Sequence, residues 1–125
     1  MAYSRDYSPR KKKESIIEKA DVFTRPTILI NCIRSCSACS ALYPYITASF
    51  KAFCSENGFD VHVTKDDAIE TANYYKYGKP NHVGGGTPQI YAINGDKVTG
   101  TSPSTMQWTA SKLISTVEKL MAKVK

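Results

Sequence analysis

Thr27-Ile28-Leu29-Ile30-Asn31-Cys32-Ile33-Arg34-Ser35-Cys36-Ser37-Ala38-Cys39 is the stretch that decides the fold of this chain. Its first part, Thr27 to Ile33, is mostly apolar and β-branched at several positions. That composition suits a central parallel strand covered on both faces. Arg34 and Ser35 interrupt the run, and Cys36 opens a helix-like segment. A C-x-x-C pair at a helix start brings two sulfurs within disulfide reach. The free N–H groups and dipole of a helix start also favour a thiolate. Strand, C-x-x-C and helix therefore point to thiol–disulfide exchange. Cys36, the first and more exposed cysteine, is expected to be the nucleophile. Cys39, one turn further on and less exposed, is expected to be the resolving thiol.

Downstream, Cys36 to Asn57 reads as one long helix with Leu42, Ile46, Phe50 and Phe53 on a stripe, kinked by Pro44 and stopped by Asn57-Gly58. Phe59 to Val63 alternates apolar and polar residues, the pattern of a strand. Asp66 can cap a helix from Asp67 to about Tyr77, ended by Gly78. Lys79 to Thr87 is a loop that carries Gly84, Gly85 and Gly86. These glycines either admit a close backbone approach or simply belong to an open loop. Pro88 to Ile93 reads as a strand, Asn94-Gly95 as a hairpin turn, and Lys97 to Gly100 as the returning strand. From about Ser104 the chain is helical again, with Met106, Ala110, Leu113, Val117, Leu120 and Val124 on one face. Upstream, Lys12 to Val22 places Ile16, Ile17 and Ala20 at helical spacing. The order predicts an α/β fold. Its mixed four-stranded sheet has a parallel pair plus a C-terminal antiparallel hairpin, covered by helices on both faces.

With 125 residues, 42% of them hydrophobic, one domain is expected over 12–125. Residues 1–11 form a polar, basic tail with no periodicity, expected to be disordered. The formal charge is +6, and much of it sits in the tail at Arg5, Arg10, Lys11, Lys12 and Lys13. Elsewhere no interleaving of basic and aromatic residues resembles a nucleic-acid surface, so no nucleic-acid partner is expected. No segment is long and apolar enough for a membrane span, and Met1 to Lys13 lacks the apolar core of a signal peptide. The expected location is the reducing cytoplasm, where cysteines serve catalysis or metals more often than structural bridges. Cys32 and Cys54 are expected to pack as small apolar residues. Zinc held by Cys32, Cys36, Cys39 and His82 is the competing arrangement. Trp108 lies off the stripe of the last helix, and the sequence leaves its surroundings open.

Cys36-Ser37-Ala38-Cys39, Tyr77-Gly78-Lys79-Pro80, Thr87-Pro88-Gln89-Ile90-Tyr91, Asn94-Gly95 and Gly100 together resemble the thioredoxin superfamily, and glutaredoxins most of all in the second half. Pro44, five residues after Cys39, resembles the kinking proline of thioredoxins. The resemblance covers roughly Lys12 to Lys123. It implies a thioredoxin-like fold and a monomeric reductase of protein or small-molecule disulfides. The electron donor would be a reductase or glutathione, and no cofactor would be required. It also implies a cis peptide before Pro88, with the backbone of Thr87 facing Cys36 as a docking edge for an extended substrate. Gly86 and Arg34 are carried over as further substrate-binding positions. Several features depart from the pattern. Ser37-Ala38 replaces the usual dipeptide, and Ile30 stands where thioredoxins bury an Asp. Thr101-Ser102-Pro103-Ser104 stands where glutaredoxins carry a glutathione-binding Asp, so glutathione recognition is expected to be weak. Glutaredoxins without proline after the first cysteine can instead bind or carry an iron–sulfur cluster, the alternative function implied here.

Overall fold

The computed structural model describes residues 15–103 and 105–125. The tail 1–11, the first residues of the expected 12–22 helix and Ser104 lie outside them. The strands are β1 (Thr27–Asn31), β2 (Asp60–Thr64), β3 (Gln89–Asn94) and β4 (Lys97–Thr101). They form one four-stranded sheet in the order β2-β1-β3-β4. β1 runs parallel to β2, with Ile28 opposite Val61. It runs antiparallel to β3, with Ile30 opposite Ile90. β3 and β4 are a hairpin whose last pair is Asn94 and Lys97. Gly95 takes the first loop position with φ 65°, and Asp96 has no positive φ. That is the II′ pattern, whose twist matches the strands it joins.

The helices are α1 (Ser37–Leu42), α2 (Ala48–Glu56), α3 (Asp67–Asn73) and α4 (Ala110–Val124). Every residue of β1 is buried, as its apolar run on both faces requires. Ile28, Ile30, Ile90 and Ala92 point to one layer, where Leu42, Phe50, Cys54, Leu113, Val117 and Leu120 meet them. Leu29, Tyr91 and Ile93 point to the other and pack against Tyr77 and Val83. The two layers follow from the two-residue period of the strands. Burial of each Leu or Ile in them contributes about 1.5–3 kcal/mol.

Three elements differ from the sequence expectation. The long helix over Cys36 to Asn57 is two helices, with a 3-10 turn at Tyr43–Tyr45 between them. Pro44 has no N–H to give the preceding turn, so it ends α1 rather than kinking it. Ile46 then leaves helical geometry at ψ 71°, and the Thr47 side chain caps a fresh start by accepting from Phe50 N–H at 3.2 Å. The last helix begins at Ala110, where Thr109 accepts from Lys112 N–H at 3.0 Å. Met106 therefore lies before it and is 58% exposed, while Trp108 is 4% exposed in the core. The expected helix over Asp67 to Tyr77 changes winding at Tyr74 and continues as a π turn to Gly78. Its cap is as expected, with Asp66 Oδ1 accepting from Ala68 N–H at 2.8 Å.

Candidate functional site

Cys36 is the N-cap of α1, in extended backbone geometry, and its sulfur accepts from Cys39 N–H at 3.1 Å. The Thr87–Pro88 peptide is cis, as expected. Thr87 lies directly across from Cys36, whose thiol donates to the Thr87 carbonyl at 3.5 Å. The Thr87 hydroxyl donates back to the sulfur at 3.3 Å. Burial pushes the Cys36 thiol up. The hydrogen bonds from Cys39, from Thr87 and from the N–H groups of Cys39 and Ala38 outweigh burial and leave it below its ordinary value. α1 has only six residues. The thiolate is therefore favoured by these local donors more than by a long helix dipole, whose influence is confined to the end turn in any case.

Cys39 is fully buried, and burial followed by the neighbouring Cys36 holds its thiol above the ordinary value. The two thiols are thus driven apart in acidity by their different surroundings, one half-buried among donors and the other enclosed. Cys32 continues the β1–β2 pairing by one residue, its N–H donating to the Thr64 carbonyl at 2.9 Å. Its side chain is fully buried in the core layer that also holds Cys39, and burial pushes its thiol far up. Cys54 is buried in α2, where burial alone pushes its thiol up to about 11. All four cysteines are free.

Arg34 is exposed in the turn before Cys36, and its N–H donates to Asp67 Oδ1 at 3.1 Å. Gly86 accepts through its carbonyl from the Ser102 hydroxyl. The three loop glycines do not need to be glycine. A Cβ on Gly84, Gly85 or Gly86 meets nothing nearer than 3.5 Å, and none of them has a positive φ. No close approach within the chain itself requires glycine at these positions. His82 is exposed with φ 58°, and His62 pairs with Asp21 at 3.2 Å. Among the described residues no group of three or more His, Cys, Asp or Glu side chains is arranged to hold a metal ion.

A buried polar network beneath Pro88 escapes the reading of motifs. Asn31 Nδ2 donates to Gln89 Oε1 at 2.8 Å and to the Glu70 carbonyl at 3.1 Å. Asn73 Nδ2 donates to Asn31 Oδ1 at 3.2 Å, and the Tyr91 hydroxyl donates to Gln89 Oε1 at 2.6 Å. It ties the strand that leads to Cys36 to the strand that follows Pro88, and both to α3. The signal was present: Asn31 and Gln89 are polar residues in strands expected to be covered on both faces, and such groups must find partners. Gly78 and Gly100 make room for the Tyr91 side chain, since a Cβ on Gly78 would fall 2.5 Å from its hydroxyl oxygen and one on Gly100 2.5 Å from its ring.

The chain matches no family model, no curated protein and no solved structure. Among the described residues no helix is long and apolar enough to cross a membrane.

Proposed function

We propose that this protein is a thiol–disulfide oxidoreductase of the thioredoxin superfamily, acting as a dithiol reductase of protein or small-molecule disulfides. The observation that carries the reading is the half-buried Cys36 sulfur, which accepts from Cys39 N–H at 3.1 Å and from the Thr87 hydroxyl at 3.3 Å. In the first step the Cys36 thiolate attacks one sulfur of the substrate disulfide. A Cys36–substrate disulfide forms, and the other substrate sulfur leaves as a thiolate that water protonates. In the second step Cys39 loses its proton and attacks the Cys36 sulfur. The substrate is released fully reduced, and Cys36 and Cys39 are left as a disulfide. An external dithiol or a reductase returns both to thiols. The Thr87 backbone beside Cys36 supports docking of an extended substrate segment as an added strand.

The preferred donor is a reductase or small dithiol rather than glutathione. Where glutaredoxins offer an acidic side chain after the glycine of the hairpin, Ser102 is engaged with the Gly86 carbonyl. We place the protein in the reducing cytoplasm as a monomer without a tightly bound cofactor. The test is NADPH consumption with a low-molecular-weight disulfide, coupled once to thioredoxin reductase and once to glutathione and its reductase. Turnover in the first system, abolished by Cys36→Ser, is expected. No turnover in either system overturns the reading. A coloured anaerobic protein would move it to the iron–sulfur class.

A further inference from the structure

β4 is an edge of the sheet, and its strand partner among the described residues is β3 alone. Asn94 and Lys97 flank the two-residue loop of the hairpin as a hydrogen-bonded pair, and the pairs alternate from there. The N–H and C=O groups of Lys97, Thr99 and Thr101 therefore turn toward β3. Those of Val98 and Gly100 turn away from it, along the open edge. Side chains alternate as well. Thr99 and Thr101 stand opposite Ala92 and Ile90 and share their face, the one that α4 covers. Beside this edge lies a groove of about 330 Å³, lined by Gly100, Thr101, Thr116, Lys119, Leu120 and Lys123. Thr116, Lys119 and Lys123 follow one another at helical spacing on α4. Both lysines are exposed, and among the described residues neither forms an ion pair. None of the lining residues is acidic. The Thr101 end of β4 lies beside the loop that leads to Thr87, where the Ser102 hydroxyl donates to the Gly86 carbonyl.

We infer that the open edge of β4 and this groove form one docking surface for an acidic, extended segment of another protein, seated as an added strand. Two sets of groups select that occupant. The backbone of Val98 and Gly100 offers carbonyls as well as N–H groups, and another extended backbone satisfies both. A phosphate group would use the N–H groups and leave the carbonyls facing its charge. In the added strand every second side chain falls on the α4 face, beside Thr99 and Thr101, on the side where Lys119 and Lys123 stand. Carboxylates at those positions complement the two lysines. A second copy of this chain is a poor occupant. Pairing two β4 edges would bring Lys97 and the groove lysines of both copies together, and each chain already carries a charge of +6. No aromatic side chain lines the groove, so it lacks the stacking surface that single-stranded nucleic acid uses. The docking does not depend on the chemistry of Cys36, although it brings the bound protein beside the loop that carries Thr87.

Fluorescence anisotropy of a labelled peptide of about eight alternating Glu and Thr residues, long enough to cover β4, measures the docking on the full-length reduced protein. Saturable binding that weakens as salt is raised is expected. A Lys-Thr peptide of the same length should not bind. Lys119→Glu combined with Lys123→Glu should weaken the Glu-Thr peptide roughly tenfold or more. The same variant should gain binding of the Lys-Thr peptide, which an unfolded chain would not show. In an added strand only alternate residues turn their N–H groups to β4. N-methylation of all the Thr residues, or of all the Glu residues, should therefore abolish binding of one peptide and spare the other. Absence of saturable binding of the Glu-Thr peptide overturns the inference, as does binding that the double substitution leaves unchanged. Equal affinities of the two methylated peptides overturn strand addition, and the inference with it. A single-stranded oligouridylate that binds more tightly than the peptide, and that the double substitution releases, would make the groove a nucleic-acid site instead.

Discussion

The hydroxyl of Thr87 lies 3.3 Å from the sulfur of Cys36, although the two residues are 51 positions apart in sequence. The same residue presents its carbonyl to that sulfur at 3.5 Å. Thr87 therefore meets the Cys36 sulfur through both its side chain and its backbone.

Removal of the hydroxyl should make Cys36 less acidic. Cys36 alkylation by iodoacetamide in wild type should reach half its limiting rate below pH 9.0, the ordinary thiol value. In Thr87→Val that midpoint should move upward, and Thr87→Ser should restore it. A hydrogen bond to a charged group is worth about 1.5–3 kcal/mol when enclosed, and the half-buried setting lowers this to about 1 kcal/mol, roughly a fivefold change in thiolate at a given pH. An unchanged profile in Thr87→Val would remove Thr87 from the tuning of Cys36.

On the proposed dithiol reading, Cys36 and Cys39 should fail differently when replaced. Cys36→Ser should abolish disulfide reduction, because the half-buried sulfur among donors is gone. Cys39→Ser should still attack and then accumulate mixed disulfides, visible as a mass increase that dithiothreitol reverses. Cys54→Ser should leave turnover within about twofold, since Cys54 is a buried core residue of α2. Accumulation of mixed disulfides in Cys36→Ser rather than Cys39→Ser would reverse the assignment.

Glu70 should weaken the fold at neutral pH. Burial first, and the charge of Asp67 second, hold its carboxyl above the ordinary carboxylate value. A folded-state value above the unfolded one means that the favourable contribution is fully present below the unfolded value. It is lost as pH rises through the folded one. Glu70→Gln should therefore raise the melting temperature near pH 7, and the gain should vanish at pH values below the ordinary carboxylate range. A gain that is largest in acid would contradict the burial of this group.

Two glycines should respond oppositely to one added methyl group. A Cβ on Gly100 would lie 2.5 Å from Tyr91 Cδ1 and 3.1 Å from the Ile90 carbonyl oxygen, both in the core strand β3. Gly100→Ala should cost about 1–3 kcal/mol in denaturant unfolding, the range for overpacking. A Cβ on Gly86 would meet Ser102 Oγ at 3.6 Å, ordinary contact. Gly86→Ala should change stability by less than about 0.5 kcal/mol. Equal losses in the two variants would show that the ring of Tyr91 yields freely.

Much of the architecture is legible in the residues. The apolar run at Thr27–Asn31 and the alternation at Asp60–Thr64 mark the parallel pair, and Asn94-Gly95 marks the hairpin. Asp66 and the Asn57-Gly58 stop are local devices whose geometry depends on a few neighbouring residues, and both stand where expected. Less legible is the break at Pro44. A proline can kink, end or begin a helix, and the outcome here depends on whether Ile46 and Thr47 pack better inside or outside the turn. Met106 misleads for a similar reason: helical spacing continues past the Thr109 cap, but the helix does not.

By itself the sequence determined the local preferences: which segments extend, which coil, and that a cysteine pair sits where β1 gives way to α1. These depend on side-chain period, capping groups and backbone restrictions within a few residues. Only the tertiary structure decided that Thr87 meets Cys36 and that Asn31, Gln89, Asn73 and Tyr91 close a buried network. Those contacts join residues on different elements. They arise when the sheet places β1 between β2 and β3, so that burial leaves each enclosed polar group only the partners that folding brings to it.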